Sequence, residues 1–201
     1  MAIEFQYNKT SMQDLQKQLD MRERTLPILQ SKESALRVEV RTCREDALKL
    51  EKSLEKQIQK YEAMFALWNE FDGSLIKVED VHLGIKKIAG VRVPILDKVD
   101  FKIQPYSHFN APGWYLDGIF LLQELAHTAI NKEFTDAKLN LLEQARKKTT
   151  QKVNLFEKVQ IPGYEEAILK IKRYLEDEEN LSKSSQKILK ARKEKEKEGE
   201  L

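Results

Sequence analysis

The 201-residue chain sets 35 basic residues against 33 acidic ones, mixed along its length, and 34% of its residues are charged. That balance argues against a broad electropositive face for nucleic acid or an anionic membrane, and no apolar run approaches the roughly 20 residues of a bilayer span. At 41% hydrophobic residues in regular spacing, the chain can bury a seam instead of staying a disordered tether.

Only 7 Gly and 5 Pro are present, most of them between Gly73 and Gly118, so two long flanks carry almost no punctuation. The single cysteine, Cys43, cannot close an internal disulfide and points to a reducing compartment. With no signal-peptide core at the N-terminus, a soluble intracellular chain is expected.

The first flank opens at Ser11, a plausible cap with Asp14 three residues on. Alternating steps of four and three then run through Leu15, Leu19, Arg22, Leu26, Leu29, Glu33, Leu36, Val40, Cys43, Ala47, Leu50, Leu54, Gln57, Tyr61, Met64 and Trp68. This is a heptad seam. From residue 11 to about 72 it predicts a helix on the order of 90 Å long, which needs a partner helix. It ends where Asp72-Gly73-Ser74 supplies a glycine and a fresh cap. Pro27 lies inside it, and because the seam keeps its phase on both sides, a kinked continuous helix is favoured over two helices.

The middle changes period. Val78 to Ile88 suggests a short helix. Gly90 to Ile95 and Val99 to Ile103 alternate apolar and polar residues about Leu96-Asp97-Lys98, predicting a short β-hairpin. Gln104 to Gly113, with Pro105, His108, Asn110 and Pro112, is expected to be loop. Residues 73–114 would form a small compact tip.

From Trp114 or Leu116 a second helical run passes Ile119, Leu122, Leu125, Ala129, Leu142, Ala145, Val153, Phe156, Tyr164, Ile168, Ile171, Leu175, Leu181 and Ile188. Its seam slips near Pro162-Gly163, which predicts a sharp kink or a one-residue phase adjustment. The expected fold is dominated by α-structure: a long antiparallel two-helix coiled-coil hairpin, with a small tip holding a short β-hairpin and a short helix. Its divisions are residues 1–72, 73–114 and 115–193, then a charged, disordered tail at 194–201.

Chemistry-bearing residues do not gather. His82, His108 and His127 lack metal-ligand spacing, and there is neither an HExxH motif nor a glycine-rich phosphate loop. Cys43 falls on the seam beside Ala47 and reads as a small core residue. No catalytic residue, cofactor or metal is expected. The seam positions Leu15, Leu19, Leu26, Leu29, Leu36, Val40, Leu50, Leu54, Tyr164, Ile168 and Ile171 are assigned to helix pairing. Arg22, Glu33 and Gln57 are polar entries that either fix register or face a third partner. From these residues alone, a static intracellular coiled-coil adaptor or tether is the default reading, since the same pattern serves tethers, spacers, adaptors and shafts.

One stretch carries more. Thr149 to Pro162, TTQKVNLFEKVQIP, resembles the RRVNALE…IP signature in the long C-terminal helix of the D subunits of V-type and A-type rotary ATPases. Leu175-Glu176-Asp177-Glu178-Glu179 is similar to that family's LDEREREE stretch, and Lys187-Ile188-Leu189-Lys190 resembles its LKKIK. Ile88 to Pro94, IAGVRVP, resembles its VAGVxxP segment. Asn8-Lys9-Thr10 and the leucines that follow match its first helix in spacing. The resemblance spans nearly the whole chain and suggests a divergent bacterial-like member. Departures are Lys152 for the family's second arginine, a changed basic segment at Arg24 to Lys32, and Pro27 and Gly163.

The resemblance implies a non-catalytic central rotor stalk of a proton- or sodium-translocating rotary ATPase. Such a stalk couples ATP hydrolysis or synthesis in a hexamer of catalytic A and B subunits to ion transport. It would bind the F and membrane-ring adaptor subunits of the stalk, with no nucleic acid and no direct membrane insertion. It would sit peripherally at the cytoplasmic face of the membrane. The partner-binding positions it implies are Lys152, Val153, Asn154, Glu157, Ile161, Pro162, Leu175, Glu176, Gly90, Val91 and Pro94.

Overall fold

A computed structural model describes residues 3–62, 68–106 and 111–199, with side chains through residue 193. Met64, His108 and Asn110, named above, lie outside the described residues. The chain divides into two units, residues 32–149 and residues 1–31 together with 150–201. Helix α1, Lys9–Glu62, contributes to both, as does the C-terminal helical run. That run consists of α2 (Tyr115–Leu155), a π-helical segment (Phe156–Gln160) and α3 (Ile161–Gly199). The described residues are mostly helical, with one two-stranded sheet.

The cap of α1 differs from the expected one. Asn8, not Ser11, stands before the helix, and its Oδ1 accepts from the Ser11 N–H at 2.6 Å. Ser11 Oγ reaches back to accept from Gln6 N–H at 3.3 Å. Two N–H groups at the helix entrance are thereby satisfied reciprocally. Pro27 sits inside α1 and the helix passes through it unbroken.

In residues 32–149, α1 packs antiparallel to α2. Leu36, Val40, Cys43 and Leu142 form a buried cluster, with Leu36 and Leu142 wholly removed from solvent. Each such leucine contributes roughly 1.5–3 kcal/mol of apolar burial. Farther along, Lys132 meets Glu51 at 3.2 Å, Gln57 donates to Glu124 at 3.1 Å, and the Tyr61 hydroxyl donates to the Leu121 carbonyl at 2.7 Å. At this unit's end, Trp68, Phe71, Trp114 and Tyr115 stack edge-on or tilted, with ring centroids 5.1–5.8 Å apart.

The region expected to be a compact tip is instead a long β-ribbon. Asp72 Oδ1 accepts from Ser74 N–H at 2.9 Å and caps a 3₁₀ turn at Gly73–Leu75. Strand β1, Ile76–Ile88, then pairs antiparallel with β2, Val91–Ile103, about a two-residue turn at Ala89 and Gly90. Both turn residues have positive φ, 46° and 82°, as a right-twisted two-residue hairpin turn demands. Thirteen residues per strand reach about 43 Å. The ribbon spends that length lying along the helices. Val93 is wholly buried in the Leu36–Leu142 cluster, Ile88, Ala89 and Val91 pack beside it, and the turn approaches Lys32.

Two expectations are therefore corrected. Val78 to Ile88 is strand, not helix. The single β2 replaces two short strands about residues 96–98. Bulges, and apolar residues on both faces of the first strand, explain them. Register breaks between Val78 and Asp80 and between His82 and Leu83 leave Glu79 and Asp97 unpaired, and each extra residue resets the two-residue alternation. The apolar residues of the first strand, Val78, Val81, Ile85 and Ile88, fall at helical spacing though they are spread over both faces, and the second strand reads as two runs with a gap between them.

In the other unit, Leu15 of α1 packs with Ala167 and Ile171 of α3, covered by Ile3, Phe5, Met12, Tyr164, Ile168 and Leu175. The N-terminal segment thus joins this core, with Tyr7 against Tyr174 at 4.8 Å between centroids. Past Leu175 the face of α3 has no partner among the described residues, and Leu181, Ile188 and Leu189 are exposed. Helix α3 runs on to Gly199, so the backbone stays helical over most of the stretch expected to fray.

Candidate interaction surfaces

The slip near Pro162 is resolved by the π segment. On the inward side the residues read Val153, Phe156, Gln160 and Tyr164, so two steps of four fall in succession where a heptad takes a four and a three. One extra residue has to be absorbed. The Ile161 N–H bonds to the Phe156 carbonyl, five residues back, and the wide turn takes it up. Pro162 follows at once. Its ring would crowd the carbonyl of Lys158 in a regular α-turn, and its nitrogen has no proton to give. A wide turn just before it suits both deficiencies.

Arg22 of α1 is the counterpart of this turn. Its Nε donates to Gln160 Oε1 at 2.8 Å, and Nη1 donates to the Gln18 carbonyl at 2.9 Å and Gln18 Oε1 at 2.7 Å. The guanidinium lies 4.5 Å from the centroid of the Tyr164 ring and 5.9 Å from that of Phe156. A polar entry in the seam is thereby satisfied and clamps the π segment from both sides. The other polar entries also have partners: Glu33 binds Arg37 one turn on at 2.9 Å, and Gln57 bridges to Glu124. Of the two roles open to them, Arg22 and Gln57 act across the helix pair.

The positions around the signature separate into two sets. Lys152, Asn154, Glu157, Pro162 and Glu176 are exposed, whereas Val153, Ile161 and Leu175 are half-buried, Leu175 against the Leu15–Ile171 core. The first set is available to a partner and the second holds the helices. Gly163 was legible only as an oddity. A β-carbon there would lie 3.1 Å from Ile3 Cδ1, so its smallness admits the N-terminal segment. Among the seam positions, Leu15, Leu19, Leu36 and Val40 are buried, as is Ile171. Leu26, Leu29, Leu50, Leu54, Tyr164 and Ile168 are half-buried.

Gly90, Val91 and Pro94 belong to the other unit, at the ribbon's turn. Gly90 is exposed, Val91 packs inward beside Val93, and Pro94 pairs with Ile85 on the opposite face. At the ribbon's base, Asp100 accepts from Lys98 at 2.6 Å and meets His82 Nε2 at 2.8 Å. Hydrogen bonding by Lys98 and then His82 holds its carboxyl below the usual carboxylate range. Burial pushes the Cys43 thiol up, and its Sγ points to the Thr135 carbonyl at 3.6 Å. A buried, protonated thiol of this kind is a poor nucleophile.

Among the described residues, no group of three His, Cys, Asp or Glu side chains is placed to hold a metal ion, and no helix is long and apolar enough to cross a membrane. His127 is exposed on α2.

Comparison with known proteins agrees with the signature. A profile of the family of ATP synthase D subunits matches residues 11–191. The V-type ATP synthase D subunit of Borreliella burgdorferi is 32% identical over 91% of this chain and 93% of its own length. Those of Chlamydia pneumoniae and Chlamydia muridarum are 27% and 26% identical, each over 88% of this chain and covering 87% and 90% of their own lengths. With the matched residues running from the start of α1 almost to the end of α3, the chain belongs to the family of ATP synthase D subunits.

Proposed function

We propose that this chain is the central rotor shaft of a V-type rotary ATPase, a non-catalytic subunit that couples ATP turnover in a hexamer of A and B subunits to ion translocation. The observation that carries the reading is uninterrupted helix. Fifty-four residues of α1 pass Pro27 without a break, and α2 and α3 join through a π turn with no intervening loop. A part that transmits torque needs stiffness along its length. The chain keeps it at both prolines, where an ordinary hinge would be expected.

The named relatives support placement within a V-type ATP synthase. The F and membrane-ring adaptor subunits would be further partners, the whole peripheral at the cytoplasmic face. Exposed charged residues at the signature, Lys152 and Glu157 among them, suit a surface that slides past its housing without deep apolar anchoring. In this division of labour, residues 1–72 and 115–193 form the shaft, residues 73–114 its side ribbon and 194–201 a terminal extension. ATP chemistry belongs to the partners.

The test mixes the purified chain with the cognate F, A and B subunits and follows assembly by sizing together with ATP hydrolysis. A stoichiometric complex whose turnover depends on this chain is expected. If properly folded components fail to associate, and the chain instead self-associates through its seam, the static adaptor reading takes its place.

A further inference from the structure

The two faces of the β-ribbon near its turn are unlike. Val93, Val91 and Ile88 face the helices and are covered. The register sets Leu83 opposite Leu96, Ile85 opposite Pro94 and Lys87 opposite Arg92 on the other face. There Leu83 is 51% exposed and Ile85 77% exposed.

Two features of this outward face are unfavourable for the ribbon on its own. Aliphatic side chains stand in water, Ile85 more fully than any other large hydrophobic side chain described. Beside them, Lys87 and Arg92 are like charges directly across the strand pair, an arrangement that costs stability.

Charge along the ribbon is also uneven. From Ile85 to Pro94 there is no acidic residue; Lys87 and Arg92 stand on the outward face, while Lys86 pairs with Val93 on the side toward the helices and Lys32 stands beside the turn. The base of the ribbon differs: Lys98 pairs with Asp100 and Lys102 with Glu79. Whole-chain balance therefore conceals a local basic patch with an apolar centre. Both costs vanish together if an acidic surface with apolar side chains covers the face.

We propose that the outward face of the ribbon turn, centred on Ile85 and bounded by Lys87 and Arg92, is a docking site for an acidic protein segment carrying aliphatic or aromatic side chains. Apolar contact at Ile85 and Leu83 would supply affinity, and the basic pair would orient the segment and speed its capture. Pro94 contributes no N–H, so recognition rests on side chains across the face and not on strand addition at that position. The inference deepens the stalk reading by giving the ribbon a partner of defined chemistry, but its geometry does not depend on rotation.

The experiment places a photoreactive benzoylphenylalanine at position 85 of the full chain in cells that make its native assembly. The adduct is isolated and its peptide sequenced. An adduct on an acidic segment is expected, with yield falling about tenfold in the K87E/R92E background and in high salt, the size expected for removal of a close charge pair. Unchanged thermal melting of the full chain shows that the charge reversal leaves the fold intact. An adduct on lipid, on a neutral or basic segment, or on nothing overturns the inference, as does a yield indifferent to charge reversal. Whether A and B subunits are present in the same preparation is read separately, so failure of the stalk reading is distinguished from failure of the docking site.

Discussion

Two antiparallel helix pairs from one chain solve their packing differently. In residues 32–149 the seam is apolar and small, with Val40, Cys43 and Ala47 flanking Leu36, and a third element, the β-ribbon, inserts Val93 to complete the core. In residues 1–31 with 150–201 no sheet helps. A cation on two rings, a π turn and a folded-back N-terminal segment do the corresponding work. Stiffness can thus come from close apolar filling or from a polar clamp on an irregular turn. The two respond to different perturbations.

The largest effect should come from Leu142→Ala, which empties space at a fully buried site shared by α1, α2 and β2. A loss of about 3–4 kcal/mol is expected by denaturant unfolding, with hydrogen exchange accelerated in the ribbon as well as the helices. Protection of the ribbon left unchanged would show that it does not depend on this core.

Arg22→Ala tests the other unit. Removing the guanidinium strips Gln160 of its donor and two rings of their cation, for an expected cost of about 1–2 kcal/mol. Arg22→Lys should recover only part of it, since an ammonium cannot donate to Gln160 and Gln18 in the same fork while lying flat on Tyr164. Full rescue by lysine would reduce the clamp to simple charge.

A smaller effect is expected at Gly163. Alanine gains up to about 1 kcal/mol of helix propensity, against a 3.1 Å approach to the end of the Ile3 side chain. Because the contact is with the far end of an aliphatic side chain near the N-terminus, Gly163→Ala should raise the melting temperature slightly. Adding Ile3→Ala should raise the helix gain further while removing apolar cover, and a double-mutant cycle separates the two.

The smallest effect concerns pH. The Asp100 carboxyl is held below its ordinary range in the folded ribbon, so the support it gives is complete above the unfolded carboxylate range and is lost as pH falls through the lower folded value. Amide shifts at Val99 and Phe101 should follow an acid transition that Asp100→Asn abolishes. A transition persisting in that variant would belong to another group.

The seam from Leu15 to Tyr61 was legible because a repeat sustained over many heptads leaves little else to satisfy it. The one-residue slip before Pro162 was legible for the same reason, since a phase error stands out only against a long regular pattern. The ribbon's full length was not, because its two bulges occur where the eye expects alternation. Val78, Val81, Ile85 and Ile88 also fall at three-four-three spacing, the mark of a helix face, although in the strand Ile85 and Ile88 lie on opposite faces. Arg22 could be seen as a polar intruder, but the aromatic rings that receive it lie more than a hundred residues away. The ribbon's basic turn was hidden by a net charge that averages over acidic residues elsewhere.

The π turn also bears on how such a chain changes over time. In a long paired helix, gaining or losing one residue would rotate everything beyond it by about 100° and turn the apolar stripe away from its partner. A turn that already accommodates a surplus residue uncouples the stripe on one side from the count on the other. Between Leu155 and Ile161 the helix therefore has a place where its length can drift by one while α2 and α3 keep facing α1.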